Sequence, residues 1–322
     1  MRHRPIVRIV LAATVAAGAG LTAVAVAAAP DVSGAATSKP IYISMGDSYS
    51  VGYQNPTLGN TTGFTGYVAT MKHLQLKNFG CGGATTSSLF TQLGCPAPNS
   101  AATDAVPYPG VDQVDAVLNY IGESAHYGKV ALVTVSIGGN DVTSCAAGPN
   151  PIPCVVAANT TIESNVTALV ADLHTALVTN GDAPAHIVGT TYPDVILGDD
   201  VAPVGSTNPV LAAQSVFAFD GLINPTLSTA YTSQTDGAFV NVTSAPYGKA
   251  KHGDDTGTFN VTTGVFTGPT TTLAGFGKVP VPVAEVCTIT WYCKPATFGD
   301  IHANSTGYAF IGKLIVAKLA SL

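Results

Sequence analysis

Four short segments of this sequence carry side chains able to take part in acyl transfer. Gly46-Asp47-Ser48 and Gly138-Gly139-Asn140-Asp141 each end a β-rich run, residues 78–85 (NFGCGGAT) form a glycine-rich turn, and Gly299-Asp300-Ile301-His302 stands near the C-terminus. A serine hydroxyl is a poor nucleophile until a base takes its proton, so Ser48 means chemistry only if a histidine reaches it. His302, just ahead of a helical pattern, is placed to be that base. His3 lies in a basic leader, and His73, His126, His174, His186 and His252 lack such company. The Asn140 amide can donate to a developing oxyanion, and so can backbone N–H groups of the glycine-rich turn. Each segment alone also has an ordinary reading: a Ser/Asp helix cap, a Gly-Gly turn with an Asx cap, a loop pinned by Cys81.

Nucleophile, base and donors lie far apart in the chain, so a fold has to bring them together. The runs 40–45, 129–137, 185–191 and 238–242 are apolar and β-rich, as strands buried on both faces of a parallel sheet are. Residues 111–121, 161–178 and 305–319 show helical spacing, and 209–232 is helix-like. Alternation of the two predicts a three-layer α/β/α sandwich with a central parallel sheet. In such sheets the reactive groups sit outside the carboxyl ends of the strands, and three of the four runs end there in polar turns. Residues 245–295, rich in Gly, Thr and Pro, show no period and are too long for an ordinary connection. They read as an irregular insertion near the site.

Of 322 residues, 46% are hydrophobic and 10% charged, enough apolar material for one sizeable core. The net charge is −6 and the 13 Lys and Arg are scattered, which argues against nucleic acid as a partner. Arg2, Arg4 and Arg8 precede an Ala/Val/Leu-rich run over 9–29 and small residues suited to cleavage. Residues 1–36 therefore read as an export signal, leaving one domain over 37–322 in a secreted protein. An uncleaved anchor is the alternative, since the run is long enough to span a bilayer. Export makes disulfides the expected state of the six cysteines, and close sequential pairing joins Cys81–Cys95, Cys145–Cys154 and Cys287–Cys293, one of fifteen possibilities. No CxxC pair suggests a metal site, and no nucleotide fingerprint follows the first strand, so neither metal nor cofactor is expected. Asp199-Asp200 and Asp254-Asp255 lack the ligand spacing of a calcium loop and read as solvated turns.

Taken together and in this order, the four segments resemble the SGNH (GDSL-like) hydrolase family. Gly46-Asp47-Ser48 matches its first motif, Asn78 with Gly83 and Thr85 its second, Gly138-Gly139-Asn140-Asp141 its third and His302 its last. The second motif and the six cysteines look most like the secreted actinobacterial esterases and lipases of that family. The resemblance implies a flavodoxin-like fold and a serine esterase or lipase that forms an acyl-enzyme on Ser48. It also implies an oxyanion hole from the Ser48 and Gly83 N–H groups and the Asn140 side chain. One departure stands out: the family's Asp three residues before the histidine is Gly299 here, and Asp300 stands two before. Either Asp300 or a backbone carbonyl such as that of Gly299 then orients His302. Expected partners are a small-molecule or lipid ester and, transiently, a lipid or cell-envelope surface, with the chain a monomer. Carbohydrate O-acetyl ester cleavage is the alternative, and a non-catalytic secreted binding module on the same fold a further one. An apolar groove from 245–295 would favour lipids, and a polar cleft sugar acetates.

Overall fold

In a computed structural model, residues 38–54, 61–96, 101–202, 205, 207–244 and 257–322 are described; the leader 1–36, His252 and Asp254-Asp255 lie outside them. Five strands pair in parallel: β1 (Ile41–Gly46), β2 (Gln75–Asn78), β3 (Val130–Ser136), β4 (His186–Thr190) and β5 (Gly237–Val240). Their order in the sheet is β2-β1-β3-β4-β5, the flavodoxin-like order. Side chains alternate between faces along each strand. Ile43, Met45, Val133, Val135 and Ile187 meet α3 (Gln113–Gly122), α5 (Pro151–Thr179) and α7 (Asn224–Tyr231) in one core layer. Tyr42, Leu132, Val188 and Val240 meet α2 (Gly63–Met71) and α9 (Ser305–Leu319) in the other. The sheet is thus covered on both sides, as the alternating pattern predicts.

Two elements add to the sequence reading. β2 (QLKN) is a short edge strand, partly exposed and without an apolar run, and α2 carries two glycines that weaken its pattern. Helix α5 also starts ten residues before the expected 161, because Pro151 and Pro153 sit in its first turn, where a missing N–H costs nothing. The run 209–232 is α6 (Pro209–Ala218), one π-helical turn (Phe219–Ile223) and α7.

The described part of 245–295 has more order than its aperiodic sequence suggests. It holds two small ribbons, Thr258–Phe259 with Phe266–Thr267 and Thr270–Leu273 with Gly277–Pro280, then helix α8 (Val281–Ile289). Val283, Val286 and Tyr292 form a third apolar cluster with Leu197 and Ala213, separate from the sheet cores. Asp199 is no solvated turn residue: it accepts the Tyr292 hydroxyl at 2.6 Å and ties this cluster together.

Candidate active site

The sheet order reverses between β1 and β3, and ligands of open α/β sheets bind in the crevice outside such a switch point. Ser48 directly follows β1, and Asn140 lies at the end of β3 on α4 (Gly139–Ala146). Gly46 is required where the two strands touch: its φ is +122°, and a Cβ there would stand 2.0 Å from the Ser136 oxygen. Buried Gln113 satisfies the freed backbone, accepting the Gly46 N–H at 2.6 Å and donating to the Gly46 carbonyl at 3.1 Å. The chain then turns into the single-turn helix α1 (Ser48–Val51), which Asp47 caps by accepting the Tyr49 N–H at 3.0 Å.

Ser48 Oγ lies 2.9 Å from Nε2 of His302, and Nδ1 of the same ring lies 2.6 Å from Oδ1 of Asp300. Oδ1 also accepts the His302 backbone N–H at 3.0 Å. The spacing of two residues is therefore long enough, because the carboxylate folds back over its own turn. Of the two groups considered for orienting the ring, the Asp300 carboxylate is the one in contact. His302 itself is held from both sides. Its carbonyl accepts the Trp291 N–H at 3.0 Å, and Asn304 caps α9 while donating to the Thr288 carbonyl at 2.8 Å. The Cys287–Cys293 disulfide closes the same turn at the end of α8. Tyr53 packs edge-on against the imidazole with ring centres 4.4 Å apart, and the Tyr49 hydroxyl donates to the Ile301 carbonyl at 2.7 Å.

The glycine-rich turn is fastened to both neighbours. Asn78 donates to the Ser50 carbonyl at 2.8 Å, and the Cys81 N–H donates to Gly46 at 2.9 Å. On the other side the Asn140 amide donates to the Ala84 carbonyl at 2.8 Å. Asp141 accepts the Thr86 N–H at 2.9 Å and the Thr86 hydroxyl at 2.6 Å. The N–H groups of Ser48 and Gly83 donate to no acceptor among the described residues, and one N–H of the Asn140 amide is likewise unused. Cys81–Cys95 pins this turn and Cys145–Cys154 joins α4 to the first turn of α5, so the three disulfides are those the close pairing predicts.

Beneath Ser48 sits a carboxyl that the motif alone does not explain. Asp47 is 1% exposed and accepts the Tyr192 hydroxyl at 2.5 Å. Burial pushes its pKa up to about 7, against the pull of the bonds from Tyr192 and the Tyr49 N–H. Between about 4 and 7 the folded chain thus holds a proton that the unfolded chain has released, so stability falls as pH rises through that window. Asp47→Asn keeps the size and the cap and removes the titration. Thermal melts are expected to show it more stable than wild type at pH 8, by at most about 4 kcal/mol, with the gap closing towards pH 4. A gap independent of pH would contradict this account.

A pocket of about 800 Å³, mouth included, opens beside Ser48 and Asn140. Its walls are mainly apolar: Ile152 and Val155 of α5, Leu211 and Ala218 of α6, and Phe219 and Ile223 of the π turn. None of its lining comes from the described part of 245–295. Sequence reasoning missed Gln113, Tyr49, Tyr53 and Tyr192 as supports. Of these, Tyr192 left a trace, since it opens one of the polar turns that end the β-rich runs.

The model of the GDSL-like lipase/acylhydrolase family matches residues 44–220. Among solved structures, an extracellular lipase from Streptomyces rimosus is 20% identical, covering 87% of this chain and 99% of its own, with a TM-score of 0.44. A phospholipase A1 from Streptomyces albidoflavus is 17% identical over 64% of this chain and 80% of its own, with a TM-score of 0.40. The lipase Lip_vut3 from a goat rumen metagenome is 13% identical over 86% and 96%, with a TM-score of 0.47. No curated protein matches the chain.

Proposed function

The chain belongs to the GDSL-like lipase/acylhydrolase family, and from that premise we propose that it is a secreted serine esterase or lipase cleaving carboxylic esters of apolar acids. The observation that carries the reading is the 2.9 Å contact of Ser48 Oγ with His302 Nε2 at the mouth of an apolar pocket. The family match ends at residue 220, so the role of His302 rests on this geometry. With Nδ1–H donating to Asp300, Nε2 is left to accept the serine proton as Oγ attacks the acyl carbonyl. The negative oxygen that forms is met by the N–H groups of Ser48 and Gly83 and the free N–H of Asn140. His302 then returns the proton to the leaving alcohol, and water cleaves the acyl-enzyme by the reverse path. Three disulfides support an oxidising, extracellular setting. Among the described residues no helix is long and apolar enough to cross a membrane.

The apolar pocket favours fatty acyl esters over sugar acetates. Each buried methylene contributes about 0.8 kcal/mol, so kcat/KM is expected to rise at least about tenfold from acetyl to octanoyl p-nitrophenyl esters. Ala218→Phe fills the buried wall and is expected to remove most of that rise. A flat or falling profile would point to short acyl groups instead, and hydrolysis surviving in Ser48→Ala would overturn the mechanism.

Asn140→Ala removes one oxyanion donor and is expected to lower kcat about 100- to 1000-fold. It also releases the Ala84 carbonyl, so a stability loss of about 1 kcal/mol accompanies it. Denaturant melts beside the kinetics separate the two effects, since a fully folded variant with near wild-type kcat would exclude the donor role.

A further inference from the structure

Ser48 and His302 stand 254 positions apart and are carried by different elements. Ser48 opens α1 at the end of β1, and His302 lies in the irregular stretch between α8 and α9. The bonds that shape that stretch run largely within residues 287–304. They are the Trp291 N–H to the His302 carbonyl, the His302 N–H to Asp300, Asn304 to the carbonyls of Thr288 and Thr290, and the Cys287–Cys293 disulfide. Such bonds fix the shape of the turn but not its distance from the sheet edge. Proton transfer depends on that distance, because the heavy atoms must come within about 2.6–3.2 Å of each other.

Tyr49 spans the gap. It directly follows Ser48, and its hydroxyl donates at 2.7 Å to the carbonyl of Ile301, the residue directly before His302. Its own N–H is held by Oδ1 of Asp47 at 3.0 Å, so the residue is fixed at both ends. The buried ring between them lies edge-on to Tyr192, with centres 4.9 Å apart, and edge-on to Tyr308 at 5.7 Å. Burial, with the carboxyls of Asp47 and Asp300 nearby, pushes the Tyr49 pKa well above the ordinary tyrosine value, so the hydroxyl stays a donor at working pH. Gln54 also meets Ser305 at 3.1 Å, and Tyr308 donates to the Tyr53 carbonyl. Those bonds join α9 to the chain beyond α1, not to the turn that bears the imidazole. A phenylalanine at position 49 would keep the ring in its packing and lose only the bond to Ile301.

We propose that Tyr49 is a positioning residue whose hydroxyl, through the Ile301 carbonyl, sets how far the His302 imidazole stands from Ser48 Oγ. The residue lines the apolar pocket, but its proton is committed to Ile301 and does not serve the oxyanion. The proposal rests on the serine-hydrolase reading above and adds what holds its two partners at working distance. It is tested with Tyr49→Phe, alone and combined with Asp300→Ala or with Asn140→Ala, on p-nitrophenyl octanoate. Taking kcat per Ser48 titrated with a stoichiometric organophosphonate removes any misfolded fraction from the comparison. Alone, the substitution is expected to lower kcat about ten- to hundredfold, the scale of a displacement of about 1 Å, with KM within about threefold of wild type. In the Asp300→Ala background the ring is already free to turn, so the further loss should shrink below about threefold. Asn140→Ala acts on the oxyanion and not on the ring, so in that background the full loss should remain. A kcat within about threefold of wild type would overturn the proposal, and so would a raised KM at unchanged kcat, which would place Tyr49 in substrate binding. An undiminished loss beside Asp300→Ala, a loss that shrinks beside Asn140→Ala, or the absence of any titratable serine would overturn it equally. Failure of the underlying reading looks different: wild type would then leave the octanoyl ester uncleaved, or Ser48→Ala would cleave it as well.

Discussion

Ser48→Ala and His302→Ala should each lower kcat by about a million-fold, and the double variant should fall no further. The reason lies in the 2.9 Å contact between Oγ and Nε2. Neither group does anything in acyl transfer without the other: the hydroxyl is unreactive while it keeps its proton, and the imidazole has no proton to take once the hydroxyl is gone. Effects of two residues acting as one unit therefore do not add. What remains in either variant is the proposed oxyanion donors and the pocket, which would still hold an ester for attack by water, so activity is expected to fall to a floor above the uncatalysed rate. The measurement is single-turnover hydrolysis of an octanoyl ester by the three variants, each checked for an unchanged melt. Losses that multiply in the double variant would mean two independent roles, and the dyad would have to be abandoned. The rest of the site predicts that the fold survives: Ser48 Oγ bonds only to His302 among the described residues, and the His302 loop keeps its backbone bonds to Trp291 and Asn304's grip on Thr288.

The parts of this site that were legible in the sequence are those whose local chemistry is unusual. A strand that stops at Gly46-Asp47-Ser48 and another that stops at Gly138-Gly139-Asn140 announce themselves, because a buried apolar run rarely gives way so abruptly to polar and flexible residues. Both halves of the sheet switch point were therefore readable, and with them the sheet and most of its covering helices. What stayed hidden depends on contacts between distant residues of ordinary type. Gln113 pairs with Gly46 across 67 positions of chain, and Tyr192 reaches Asp47 across 145. The edge strand β2 showed no apolar run because its side chains are partly exposed up to Asn78. The apolar pocket escaped for a different reason. Its walls are Ile152, Val155, Leu211, Ala218 and Ile223, residues that in sequence look like any buried helix face and become a pocket only because α5, α6 and the π turn do not close on one another.

The largest effect after that of the dyad is expected at Asp300, and here the geometry changes which substitution is informative. Where a triad aspartate touches only the imidazole, an asparagine in its place can turn its amide N–H towards the ring and hold the wrong tautomer, at a cost of about ten-thousand-fold. Asp300 differs, because the same Oδ1 that meets Nδ1 also accepts the backbone N–H of His302. In Asp300→Asn that backbone donor selects the amide oxygen for the shared position, where it still accepts from Nδ1–H. The tautomer is kept and only the negative charge is lost. Replacing a charge-assisted bond by a neutral one removes about 1–2 kcal/mol, so kcat should fall by only about five- to thirtyfold. Asp300→Ala removes acceptor and charge together and leaves the ring free to turn, with an expected loss of about ten-thousand-fold. Comparing kcat of the two variants on one ester separates orientation from charge. Losses below tenfold in both would show that the ring is oriented without this carboxylate, and the Gly299 carbonyl would be the next group to examine.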